Sequence, residues 1–158
     1  VRYFLTIVAV LSLGFMDDGS KLEIDDWEFD WKVAEFGKLR FGVRSTQEES
    51  VLYLWDGSRI LKFDSKSAYL LADALGDMES YRATLKEDAD KIVKCDALKI
   101  TFRNGKTTGF YAAVSENDEL SLRSTFITSK QAKQLIPHLY RGPRMIQMVK
   151  KLDVTKVK

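Results

Sequence analysis

Twice in this chain a run of alternating apolar residues gives way to a helix with the same opening, "SKSAYLLADAL" at 65–75 and "SKQAKQLIPHL" at 129–139. Ser65, Lys66, Ala68, Leu71 and Leu75 coincide with Ser129, Lys130, Ala132, Leu135 and Leu139, 64 positions further on. Alternation at period two makes a strand with one apolar face, and a three-stranded meander of such strands cannot bury that face by itself. Each meander needs a helix laid across it, and each helix needs a capped start at the strand exit. The pattern predicts an α+β fold of two repeated antiparallel β-meander-plus-helix units sharing one core.

The first unit spans 38–79. "KLRFGVR" puts Leu39, Phe41 and Val43 on one face and Lys38, Arg40 and Arg44 on the other; "VLYLWDGSRILKF" reads as two strands around Asp56-Gly57, which suits a tight hairpin. Asp64 or Ser65 caps the helix that follows, with Ala68, Leu71, Ala72, Leu75 and Met78 on its apolar face. The second unit spans 97–142: "ALKITFR", a turn at Asn104-Gly105, "TTGFYAAV", and a third strand at 120–127. Thr128 or Ser129 caps its helix, which Pro137 should kink or shorten and Gly142-Pro143 should end. Residues 80–96 read as a charged, partly helical connector, and 143–158 as a basic C-terminal helix and tail.

The chain has 158 residues, 45% apolar and 30% charged, enough for one domain that folds without disulfides or metal. Its net charge of +2 hides a marked asymmetry. Residues 17–35 carry eight acidic residues against Lys21 and Lys32, a net of −6, and residues 141–158 carry six basic residues against Asp153, a net of +5. Charge runs of this kind are solvated faces first, and an acidic partner for the tail is the sharper alternative.

Residues 1–15, "VRYFLTIVAVLSLGF", have one positive charge and then an apolar run too short to span a membrane but of the length of a signal-peptide core. With Ser12 and Gly14 before a cut, export to the periplasm or the medium is expected; without cleavage the chain is intracellular, and the same residues make a good β-strand. Residues 16–37 form an acidic, aromatic segment in which Trp27, Phe29 and Trp31 alternate with Glu28, Asp30 and Lys32. Its indoles fill the core or form a contact patch at Trp27 and Trp31, and core filling is favoured.

Chemistry-bearing patterns are sparse. His138 is the single histidine and Cys95 the single cysteine, so a Cys-His pair would require these two to meet in space. No phosphate-binding glycine loop, nucleophile elbow or metalloprotease helix occurs. Asp17 and Glu28 stand at the ends of a twelve-residue calcium-loop spacing, but Gly19 and Lys21 fill ligand positions and Leu22 stands where the turn needs glycine. We therefore expect no catalytic residues, no cofactor and no metal.

The remaining surface is the polar side of the strands. Lys38, Arg40, Arg44, Lys99, Arg103 and Arg123, with Tyr111 among the nearby rings, are the types of residue that hold phosphates and stack bases. The strand order, and "TGFYAAVSENDELSLRSTFITSKQAKQL" at 108–135, resembles the Whirly and PC4-like single-stranded-DNA-binding group; that family's Lys-Gly-Lys-Ala strand motif is not present. The resemblance implies the double strand-strand-strand-helix architecture and an intracellular single-stranded nucleic-acid partner. The residues alone point first to a non-enzymatic binding or assembly module with an unknown protein or polymer partner. It would self-associate through its edge strands and have no stable membrane span.

Overall fold

A computed structural model describes residues 6–7, 29–46, 48–117 and 124–151. Among these residues two antiparallel sheets and three helices make an α+β fold. Sheet A runs in chain order through β1 (Thr6–Ile7), β2 (Phe29–Phe36), β3 (Leu39–Ser45), β4 (Ser50–Trp55) and β5 (Ile60–Phe63). Then come α1 (Ser65–Gly76) and α2 (Met78–Thr84). Sheet B is the meander β6 (Asp90–Cys95), β7 (Leu98–Gly105), β8 (Gly109–Glu116) and β9 (Thr125–Ile127), and α3 (Ser129–Lys151) ends the described chain.

Local chemistry sets both helix starts. Asp64 is the N-cap of α1, its Oδ1 accepting from the Ser67 N–H at 2.8 Å. Burial pulls the Asp64 carboxyl up, but the hydrogen bonds from Ser67 and the charge of Lys66 outweigh it, leaving the acid below its usual range. At α3, Thr128 Oγ1 accepts from the Gln131 N–H while Gln131 Oε1 accepts from the Thr128 N–H, a reciprocal capping box.

Several expectations need correction. The connector 80–96 contains the end of α2 and the whole of β6, so sheet B has a strand before β7. Asp88 and Asp96, at φ 58° and 59°, turn the chain on either side of β6, a conformation that Asp tolerates better than most residues. Met78 opens α2 and does not extend α1. Neither Pro137 nor Gly142-Pro143 ends α3: the 23-residue helix is continuous, and 143–151 is its last part, not a separate helix. Each proline removes a hydrogen bond, a cost of about 3 kcal/mol in a helix interior. The unbroken buried stripe Ala132, Leu135, Leu139, Gly142, Ile146 and Val149 offsets it. At Gly142 α3 lies tight against sheet A, since a Cβ there would sit 2.5 Å from Leu52 Cδ1.

The helices are also exchanged. The sequence pattern expects each helix on its own meander, yet α1 packs mainly against β6 and β7 of sheet B, and α3 against β2, β3 and β4 of sheet A. Cys95 Sγ donates to Leu70 O and the Ala97 N–H to Ser67 Oγ, tying α1 to sheet B. Gln131 Nε2 donates to Phe36 O at 3.0 Å, tying α3 to sheet A. The two helices also pack against each other, so one buried core runs from Phe41 and Leu52 through Leu71 and Leu139 to Ile100 and Phe102. Trp31 packs half-buried against this core from β2, whereas Trp27 lies outside the described residues. Among the described residues no helix is long and apolar enough to cross a membrane.

Candidate contact surfaces

With the helices covering the inner faces, the outer faces of the two sheets are what the strands offer to a ligand. On sheet A, Arg40, Gly42 and Arg44 of β3 face outward, opposite Trp55, Tyr53 and Val51 of β4. Gly42 has a structural reason. A Cβ there would meet the Tyr53 ring at 2.6 Å and Trp31 O at 2.4 Å, so only glycine lets that ring lie across β3. The Tyr53 hydroxyl then reaches β2 and donates to Asp30 Oδ1 at 2.7 Å. Burial, reinforced by this bond, pushes its ionisation well above the usual tyrosine range, and the side chain is only 5% exposed.

Two of the sequence-predicted cations of this face, Arg40 and Arg44, are engaged. Arg40 lies 4.2 Å from the Trp55 ring centroid and donates from Nε to Glu35 Oε1 at 3.1 Å. Glu35 also accepts from Lys32, and the two cations, Lys32 foremost, hold its carboxyl below the usual range. The Arg44 guanidinium lies 3.6 Å from Asp30 Oδ2. Lys38 is exposed in the β2–β3 turn, beside Gly37 at φ 65°.

Lys99, Arg103 and Tyr111 belong to sheet B, so the predicted basic residues are divided between two sheets and form no single face; Arg123 lies outside the described residues. Arg103 makes a two-point pair with Asp90, both contacts at 2.6 Å. Lys99 stands opposite Lys94 and Ser115. Between these two rows the register brings Ile92, Thr101, Ala113 and Phe126 into line across all four strands. Ile92 is 57% and Phe126 62% exposed, and the Tyr111 ring meets Phe126 edge-on at 5.4 Å. No described helix lies on this side. Sequence reasoning missed the row because it read β6 as connector; the adjacent β-branched Ile92 and Val93 between two Asp turns were the available signal.

The two reactive side chains keep separate neighbours. Cys95 packs on α1, and burial, with the Asp73 charge adding to it, pushes its thiol up to about 11, so it stays protonated. His138, on α3, packs against the rings of Phe36 (5.7 Å) and Phe41 (6.3 Å), and its Nδ1 is buried without a hydrogen-bond partner. Among the described residues no group of three or more His, Cys, Asp or Glu stands close enough to hold a metal ion.

Burial, with the Arg141 charge adding to it, holds the His138 imidazole below its usual range. A base whose folded pKa is depressed takes up its proton more readily in the unfolded chain, so stability falls as pH drops below about 6.5, the unfolded value. Urea melts between pH 7.5 and 5 should show this slope, and His138→Phe, which keeps the ring contacts, should flatten it; an unaltered slope would place the titrating group elsewhere.

A scan of protein-family models finds none that matches this chain, and a search of curated proteins finds no match either.

Proposed function

We propose that the chain is a non-enzymatic assembly module that associates through the outer face of sheet B with a second copy of itself. One observation carries this reading: the row Ile92, Thr101, Ala113 and Phe126 crosses the whole sheet with its two large side chains more than half exposed. Covered faces are the usual fate of such rows, since antiparallel sheets that face water normally carry polar residues there. Face-to-face packing fits better than the edge pairing expected from the sequence. Lys91 stands opposite Phe102 on the core-facing side of β6, where a strand added at that edge would trap its charge.

Sedimentation equilibrium of the full chain should give a monomer–dimer equilibrium. Ile92→Ser with Phe126→Ser removes two apolar side chains, each contributing on the order of 1 kcal/mol when withdrawn from water, so dimerisation should weaken by at least about tenfold. A chain that stays monomeric at high concentration, or a variant that dimerises as before, would overturn the reading.

Single-stranded nucleic acid along the strand faces is the other function read from the sequence, together with the Whirly-like resemblance. It is less well served, because Arg40, Arg44 and Arg103 each already face a carboxylate. Internal duplication of a strand-helix unit remains part of the proposal, supported by the five coincident positions at the two helix starts. Export is tied to cleavage within residues 1–15, of which the pairing of Thr6 and Ile7 with Asp30 and Phe29 supports a strand at those two positions.

A further inference from the structure

α3 carries Lys130, Lys133, Arg141, Arg144, Lys150 and Lys151, and no acidic residue over its 23 residues. Its apolar stripe faces the sheet. At 3.6 residues per turn the opposite side brings Lys130, Lys133, Arg141, Arg144 and Lys151 into one exposed line about 30 Å long. On the strands Arg40, Arg44 and Arg103 face carboxylates. Of the six on α3, only Lys133 has a carboxylate within ion-pair distance among the described residues, Glu79 Oε1 at 3.2 Å.

Apolar groups are set into this line. Met148 is 56% exposed between Arg144 and Lys151, and Tyr140 of α3 meets Tyr69 of α1, each 44% exposed, with ring centroids 6.1 Å apart. The Tyr140 hydroxyl is held by Asp73 Oδ1, which fixes the ring on the surface between the helices.

We propose that the outer face of α3 is a peripheral docking surface for an anionic lipid bilayer. It rests on a different surface from the assembly face and stands without it. The line of cations faces headgroup phosphates and carboxylates, and its charge fits a surface of the opposite sign. Met148 decides between polyanions. A nucleic-acid strand gains nothing from an outward thioether chain, whereas a bilayer takes a flexible apolar side chain at the acyl boundary and tyrosines at the headgroup level. The apolar stripe of α3 is committed to the core, so attachment rests mainly on charge and is reversible and sensitive to salt.

Co-sedimentation of the full chain with phosphatidylcholine vesicles, with and without about one third phosphatidylserine, tests this. The protein should bind only the anionic vesicles at low salt and leave them at high salt. Arg141→Gln with Arg144→Gln should weaken binding about thirtyfold, from about 1 kcal/mol per cation near an anionic surface. Met148→Ser should weaken it severalfold without changing the salt slope. Unchanged circular dichroism and thermal midpoints would show that both variants fold. No binding, equal binding to neutral vesicles, or full binding by the double arginine variant would overturn the proposal. So would tighter binding of a free single-stranded oligonucleotide than of the anionic vesicles, which would make the face a nucleic-acid surface.

Discussion

Cut between Lys86 and Glu87, the chain is expected to give two fragments that do not fold alone and regain structure on mixing. Each half would hold a sheet and the helix that follows it, which is the arrangement the sequence pattern implies. In the structure, however, the helix each half keeps is the one the other half needs. A fragment of residues 1–86 would keep sheet A but lose α3, the helix that packs on Phe41 and Leu52, and its α1 would lose both α3 and its seat on β6 and β7. A half-domain of that size buries too little apolar surface to offset its conformational entropy even with a well-formed core, and here each core would be open. Circular dichroism and urea titration of the separate and mixed fragments measure this. A cooperative transition in either fragment alone would show that a helix can settle on its own sheet, and the exchange would then not be what holds the fold together.

Replacing Phe102 with alanine is expected to cost about 3–5 kcal/mol, a large share of the roughly 5–15 kcal/mol that holds a domain of this size together. The ring is fully buried in β7, 4.8 Å from Tyr81 of α2 and stacked at 6.4 Å on Phe110 of β8. It therefore fastens α2 to the centre of sheet B, and neighbours drawn from three elements cannot close together over the cavity left behind. Urea unfolding should show the midpoint falling with little change in slope; a loss under about 1 kcal/mol would mean that the surroundings collapse into the space.

Both predictions depend on contacts between distant parts of the chain, which is where the sequence stopped being informative. The contact surfaces show the same limit. The sequence identified Arg40, Arg44 and Arg103 as outward cations on strands, and they are outward. That each would meet Glu35, Asp30 or Asp90 is a matter of cross-strand register, which alternation within one strand does not set. The apolar row on sheet B was hidden for a related reason: Ile92, Ala113 and Phe126 are unremarkable singly and become a row only when four strands are aligned.

What the sequence determined by itself is local: the alternating faces of β3 and β7, the turn at Asp56-Gly57, and helix starts within a residue of Asp64 and Thr128. The hairpin expected at Asn104-Gly105 turns instead at 106–108, because Asn104 and Gly105 extend β7 and pair with Phe110 and Gly109. These follow from side-chain periodicity and from backbone groups that must be satisfied within a few residues. Tertiary structure alone decided that α1 and α3 trade sheets, that α3 runs through two prolines, and that β6 completes sheet B. The physical reason is that burial is non-directional. A sequence shows that a face is apolar and must be covered, while the choice among the available covers is made by how the whole chain packs at once.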